Sequence, residues 1–439
     1  MTRWAGRASA SFLTVLGFCV LARAGYGQAD PPWTLDACVS EALKASRRIR
    51  AQSHRVQGAE AAAREARAVR WPSLGLSGTY AYTSAVMSLD LPTIPGVELP
   101  QVEFGDGHVY DFHLSARVPV FTGGALAGRA RAEEAALGAA RGNLKTDRLS
   151  VLYEVRTAYF TALGAEAEAE AARLAEERLQ RHIEELAGAI RAGARSEEDR
   201  LQALAHLRTV EQGRVALEAR ARVGRLDLGG RVGRPGTELV PEGELDRSLV
   251  GSIPPGDEDL DARPDLEALG ERIRQARALA SAARAAYLPQ ITAEVRYHHS
   301  RPGVDLIANE WMQYASAGVV LTWPIWEWGA RTQRVRQAEA TARSFQETRE
   351  QVHEALRTRL EVARVHLDSA RRQMEKAAER VALERRRLEL VEGRYRNAAA
   401  SESERLDAED DLAAAEMDLA SAAARVRIAE AEVLYVLGR

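Results

Sequence analysis

Between residues 330 and 395, apolar side chains return in alternating steps of three and four. The series runs Val335, Ala338, Ala342, Phe345, Val352, Leu356, Leu360, Ala363, Leu367, Ala370 and Met374, then Ala377, Val381, Leu388, Val391 and Tyr395. Arg, Glu and Gln fill most positions between them. That spacing keeps one stripe on one side of a helix, and it lasts far beyond an ordinary globular helix. At about 1.5 Å per residue the helix is roughly 100 Å long. A rod of that length cannot bury its stripe against a compact domain of its own; it needs parallel neighbours, as in a coiled coil or a ring of helices. The four-and-four step from Val352 through Leu356 to Leu360 drifts towards the straight-helix period, which suits a weakly supercoiled wall.

A second pattern is strict alternation. Leu74, Leu76, Tyr80 and Tyr82 point one way. Tyr110, Phe112, Leu114, Ala116 and Val118 alternate with Asp111, His113, Ser115 and Arg117, and Ile291, Ala293, Val295 and Tyr297 with Thr292, Glu294, Arg296 and His298. A fourth stretch, 314–323, alternates less cleanly. One apolar and one charged face over about ten residues is the pattern of membrane-barrel strands; strand by strand, a half-buried sheet of a soluble protein competes with that reading. Four strands are too few for a membrane barrel, the smallest having about eight. The chain must pool strands with copies of itself, and three copies give twelve.

Both patterns occur twice. Gly123-Gly124 after Pro119-Val120-Phe121 matches Trp328-Gly329 after Pro324-Ile325-Trp326, an offset of 205 residues. The same offset relates Gly188, Arg191, Ser196 and Leu201 to Gly393, Arg396, Ser401 and Leu406. Upstream, Trp71-Pro72 pairs with Leu288-Pro289 and Arg55-Val56 with Arg272-Ile273, both offset by 217. Several motifs in one order with one length change establish a duplication. The first repeat is expected at 25–227, with strands at about 73–85 and 108–121, a long helix at about 125–191 and a return helix at about 196–227. The second is expected at 264–439, with strands at about 290–300 and 312–325, a long helix at about 330–396 and a return helix at about 401–437. Each strand pair follows a further helix, about 35–69 in the first copy and 265–286 in the second. The breaks Ala192-Gly193-Ala194 and Asn397-Ala398-Ala399, followed by Ser196 and Ser401, carry helix N-cap signals. Pro235, Pro241, Pro254 and Pro255 mark 228–263 as a crossing linker.

Composition agrees with long helices. Charged residues make up 28% of the 439 and aromatics only 6%. A net charge of −3 gives no global basic character, so nucleic acid is not an expected partner. Arg3 and Arg7 precede a short apolar run ending at Ala22-Arg23-Ala24, which reads as a secretory signal peptide over 1–24. Its removal takes the charge to −6. Cys19 falls inside that signal, leaving Cys38 with no intramolecular partner and no Cys-rich metal site.

Catalytic and metal motifs are missing: no HExxH, no Gly-x-Ser-x-Gly, and no wider phosphate fingerprint around Gly123-Gly124. His298-His299 reads as a strand-to-loop position rather than a metal site, since neighbours on a strand point to opposite faces. His108 and His113 suggest contact with a lumen or loop and no chemistry. The expectation is a non-enzyme without cofactor or bound metal. Trp323, Trp326 and Trp328 read as an interfacial belt at a strand end.

From Trp33-Thr34-Leu35 to Leu437-Gly438 the residues resemble the TolC family of outer-membrane efflux proteins. The likeness rests on the Trp71-Pro72 and Leu288-Pro289 junctions, on Val118-Pro119-Val120-Phe121-Thr122-Gly123-Gly124 and Trp323-Pro324-Ile325-Trp326-Glu327-Trp328-Gly329, and on Arg263-Pro264-Asp265-Leu266 opening the second copy. It implies a mainly α fold with a minor β part, assembled as a homotrimer. Twelve strands would form one outer-membrane β-barrel, continued by a periplasmic α-helical barrel. It implies partnership with a periplasmic adaptor protein and an inner-membrane pump, in tripartite efflux or type I secretion. The duct itself is passive and lies in the cell outer membrane, extending into the periplasm. The turns at Gly193, Ala194 and Ser196 and at Ala398, Ala399 and Ser401 correspond to the helix tips that close the tunnel and meet the adaptor. Glu404 and Asp407 match the family's lumenal acids and share a helix face; a trimer would gather six carboxylates into a cation-attracting ring. The plainer alternative for the same acids is a solvated helix start favoured by the helix dipole. Asp199 aligns with Glu404 in the first copy. A periplasmic coiled-coil adaptor without a pore is the alternative for the whole chain. The cargo and pump class stay open.

Overall fold

Two long helices, Ala125–Arg191 and Ala330–Arg396, run 67 residues each and set the scale of the molecule. At about 1.5 Å per residue each spans roughly 100 Å. The computed structural model describes residues 33–89, 102–104, 106–246, 248–249, 260–305 and 309–439. The expected signal peptide and part of the crossing linker lie outside those residues.

The chain opens with α1 (Leu35–Ala45) and α2 (Arg47–Ala68). The apolar pattern suggested one helix here, but Ser46 divides it. Its backbone is non-helical, its N–H closes α1 on the Ala42 carbonyl, and its hydroxyl accepts from the Ile49 N–H at 3.3 Å to start α2. Strand β1 (Ser73–Tyr82) follows, then the short pair β2 (Met87–Leu89) and β3 (Val102–Phe104), which the alternation did not reveal, and β4 (His108–Phe121). Helix α3 (Ala125–Arg191) leads into α4 (Glu197–Val232). Leu228 and Val232 are fully buried beside Trp33 and Leu239, which carries α4 past the expected linker boundary at 228. After the crossing segment, α5 (Pro264–Arg284) starts on a proline, whose missing N–H costs nothing in a first turn. Then come β5 (Gln290–Arg301), β6 (Met312–Thr322), α6 (Ala330–Arg396) and α7 (Glu402–Val436).

The stripe on α6 is the one it buries. Leu356, Leu360, Ala363 and Leu367 pack with Val426, Val433 and Val436 of α7, and further along Val381, Leu388 and Val391 pack with Ala408 and Leu412. Helix α3 is enclosed by α2, α4, α5 and α7, and small residues make that possible. A Cβ on Gly164 would stand 2.5 Å from that of Ala424 on α7. Cys38 is fully buried, and burial pushes its thiol up to about 11, so the free cysteine is inert.

The main sheet runs β1-β4-β5-β6, antiparallel throughout, leaving β1 and β6 as edges among the described residues. Register places Leu76 beside Leu114, Leu114 beside Tyr297 and Tyr297 beside Ala315, so the apolar positions of all four strands share one face. That face is uncovered: Leu74, Leu76, Tyr80, Leu114, Val295, Val319 and Leu321 are all exposed. The opposite face carries Asp111, His113, Arg117, Glu294, Arg296 and His298. The β4–β5 register shifts between Pro119 and Phe121, where proline can donate no ladder bond. Trp71, Trp323, Trp326 and Trp328 stand exposed where strands meet helices. The fold is thus mainly α with a small antiparallel sheet, as expected. No helix among the described residues is long and apolar enough to cross a membrane.

Candidate functional site

At the far end from the sheet, α3 turns into α4 and α6 into α7. The first turn places Gly193 at φ +75°, the second places Ala398 at +55°. Each return helix then starts on a serine with a reciprocal cap. Ser196 Oγ accepts from the Asp199 N–H at 3.1 Å while the Ser196 N–H donates to Asp199 Oδ2 at 3.0 Å. Ser401 and Glu404 repeat this at 3.2 Å in both directions. Gly193, Ala194, Ser196, Ala398, Ala399 and Ser401 are all exposed at this end.

Glu404 and Asp407 do share the exposed side of α7, but their surroundings differ. The Glu404 carboxylate is engaged by the Ser401 N–H and by Arg394 at 3.4 Å. Asp407 has no hydrogen bond or ion pair among the described residues. Further along the same side, Asp411 pairs with Arg387, and Asp418 with Arg380 at 2.8 Å. Burial and the neighbouring Asp407 and Asp411 charges push the Asp410 carboxyl above its usual range, against the pull of His206 at 2.8 Å.

The structure adds a group that the sequence patterns did not single out. Arg195 lies over the Tyr395 ring, 3.7 Å from its centre, and donates to the Tyr395 carbonyl. His182 Nε2 meets Glu402 Oε1 at 2.8 Å, with the two residues only 4% and 2% exposed. Arg178 binds Glu409 at 2.5 Å and Glu416 at 3.1 Å. Every one of these links joins the α3–α4 hairpin to the α6–α7 hairpin. Between them lies a cleft of about 600 Å³ lined by Arg178, His182, Arg195, Tyr395, Arg405 and Glu409, among others. Burial resists ionisation of Glu402, but hydrogen bonding and charge from His182, with Arg405 nearby, outweigh it and hold the carboxyl below its usual range. Arg405 Nη1 and Glu409 Oε2 are buried without a hydrogen-bond partner among the described residues, so the interlock is not saturated. These groups gather charge at the end of the two long helices. Periodicity could not find them, because Glu402 reads as an ordinary helix-start acid and Tyr395 as the last member of the stripe.

The chain matches the family model described as outer membrane efflux protein over residues 38–228 and 257–439. It belongs to the outer membrane efflux protein family. A search of curated protein sequences returns no match. Among solved structures, the channel CusC superposes with a TM-score of 0.77 at 19% identity, covering 92% of this chain and 91% of that one. The outer membrane protein VceC of Vibrio cholerae gives 0.75 at 18%, covering 92% and 96%. The outer membrane channel MtrE of Neisseria gonorrhoeae, in its open state, gives 0.74 at 21%, covering 92% and 88%.

Its family makes this chain an outer membrane efflux protein rather than the poreless adaptor of the alternative, and its fold is shared with the channels CusC and MtrE. One sequence expectation needs correcting. His298 and His299 do not sit where a strand becomes a loop; both lie within β5, paired with His113 and Phe112 of β4. His298 turns towards Asp111 and His113 on the charged face, where the sequence suggested no chemistry.

Proposed function

We propose that three copies of this efflux protein pool their sheets into one twelve-stranded barrel, with the helices continuing as a periplasmic duct. The observation that carries this is the uncovered sheet. It has two unpaired edges, β1 and β6, and one exposed apolar face. In lipid every backbone group needs a partner, so such a sheet is stable only when closed edge to edge with others like it. The charged face then lines water and the apolar face meets lipid, with Trp71, Trp323, Trp326 and Trp328 forming a girdle at the helical end. Exposed Val362, Val365, Leu383 and Leu390 on α6 supply apolar surface for neighbouring helices.

The tips at Gly193, Ala194 and Ser196 and at Ala398, Ala399 and Ser401 meet a periplasmic adaptor, and an inner-membrane pump supplies the energy. Asp407, and Glu404 where Arg394 and the cap release it, form the acidic constriction. The duct is passive, and selection of cargo belongs to the pump. Mass measurement of the detergent-solubilised protein, coupled to planar-bilayer recording, tests this reading. A trimer with single-channel conductance is the expected result; a monomer without conductance would refute it. Replacing Asp407 by Ala should lower cation selectivity more than replacing Glu404, and equal selectivity in all three proteins removes both from the constriction.

A further inference from the structure

Asp111, His113 and His298 bring three potential ligand atoms within 4.8 Å of one another on the charged face of the sheet. Register explains why they meet. His113 and His298 are directly opposed partners on β4 and β5, and Asp111 is two residues from His113 on the same side. His113 Nδ1 lies 2.8 Å from one carboxylate oxygen of Asp111, and His298 Nδ1 lies 2.9 Å from the other. The His298 ring is fixed by Tyr314, stacked at 4.7 Å, and its Nε2 faces Ser316 Oγ at 3.2 Å. Directly across from Asp111 on the same face, the Ser300 hydroxyl is buried and has no hydrogen-bond partner among the described residues.

We propose that this cluster is a binding site for a divalent transition-metal ion of borderline softness, with Zn²⁺ the representative case. Two imidazoles and a carboxylate are the donor set such ions take, and the partly open side chains leave room for water in the remaining positions. Binding at Nδ1 places the imidazole proton on Nε2, and in His298 that N–H already has an acceptor in Ser316. An acceptor behind a ligating imidazole is the arrangement that fixes tautomer and ring orientation in metal sites. The orphaned Ser300 hydroxyl can serve a ligand water in the same way. Donor atoms up to 4.8 Å apart stand wider than the roughly 3.3 Å set by bonds of about 2.0 Å in a tetrahedron, so modest side-chain rotation must close the site. The nearest cations do not occupy it: Arg117 and Arg296 are both held by Glu294, at 3.0 and 2.7 Å. The β4–β5 pairing is also the seam between the two copies of the duplicated unit, so the ion would clamp that seam.

The site lies within one chain, and its orientation towards a lumen rests on the barrel proposed above. The test keeps the two apart. Untagged, detergent-solubilised protein is titrated with Zn²⁺ by calorimetry and with Co²⁺ by visible absorption, at neutral pH. One ion per chain is expected, with d–d bands of His-ligated Co²⁺. The substitutions His113→Gln and His298→Gln keep a hydrogen bond to Asp111 but supply no imidazole. Each should weaken binding by more than about tenfold, the scale of losing a supporting contact alone. Absence of binding in the unsubstituted protein, or binding unmoved by both substitutions, overturns the site and leaves a hydrogen-bonded triad that merely ties β4 to β5. Intact binding with unchanged single-channel conductance in Zn²⁺ upholds the site and counts against its lumenal placement only.

Discussion

The two copies of the duplicated unit share the geometry of their long helices and turns and carry different side chains there. Gly123 and Gly193 in the first copy have positive φ, at +61° and +75°. The equivalent positions in the second copy, Trp328 and Ala398, take the same left-handed conformation, at +50° and +55°, with side chains that disfavour it. The turn geometry is therefore set by the architecture, with glycine a convenience in one copy. Side chains at the tip diverge more sharply. His182 and Arg195 of the first copy reach Glu402 and Tyr395 of the second. Of their duplicated counterparts, Arg387 pairs instead with Glu384 and Asp411 and Glu197 with Arg200, while Ala400 and Ile190 carry no polar group to replace Arg195 and the Tyr395 hydroxyl. Duplication made two similar hairpins, and divergence gave them one shared interlock instead of two.

The largest expected effect comes from breaking that interlock on one side only. His182→Ala leaves Glu402 buried and ionised without its partner, and should cost about 3–5 kcal/mol, the usual price of orphaning a buried charge. In bilayers the same variant should show longer open times. Arg387→Ala, at the counterpart position, removes only exposed pairs with Glu384 and Asp411 and should cost under about 1 kcal/mol. Thermal melts of the two variants would erase the comparison if they agree.

Acidity sharpens the same contrast. Glu402 is held below its usual 4.5, so its contribution is fully present above that value and is lost as pH falls through the lower folded-state value. The stability gap between the unsubstituted protein and Glu402→Gln should therefore hold constant above about pH 5 and close below pH 4.5. A gap that widens in acid would mean the sign is wrong.

Backbone exchange tests the turns. Gly193→Ala should destabilise by about 1–2 kcal/mol, and Ala398→Gly should give back part of that amount, less the added flexibility of the unfolded chain. Equal and negligible changes would show that neither turn is strained. The smallest effect concerns Asp410, whose counterpart is the uncharged Ala205. Its raised carboxyl means that ionisation works against the fold, so Asp410→Asn should stabilise slightly near neutral pH, by less than about 0.5 kcal/mol in a side chain this exposed, read as a small rise in melting temperature. The gain should vanish in acid, where the native carboxyl is already neutral.

Repetition and period are what a sequence displays, and they revealed the long helices, the four amphipathic strands and the paired tips. The stripe from Val352 to Tyr395 could be read because each member repeats the same instruction. Ser46 could not be read as a break, because one serine inside an apolar rhythm looks like a tolerated polar residue until its hydroxyl is seen at the Ile49 N–H. The His182–Glu402 pair lies 220 positions apart and obeys no period. His298 was misplaced because alternation tells which side a residue faces, whereas its meeting with Asp111 depends on the register between β4 and β5. Glu404 and Asp407 were legible as neighbours on one face, but only the cap geometry distinguishes the engaged carboxylate from the unengaged one.

The irregularity at Pro119 has a mechanical meaning. In the proposed barrel the strands would slant by roughly 35–45° against the axis while the helices follow it, so the chain would have to turn a corner within a few residues. One extra residue in β4, Val120, directly after a proline that donates no ladder bond, bends the strand just before α3 begins. Straightening it, for instance with Pro119→Val, would leave each half of the molecule intact and misalign the joint between them.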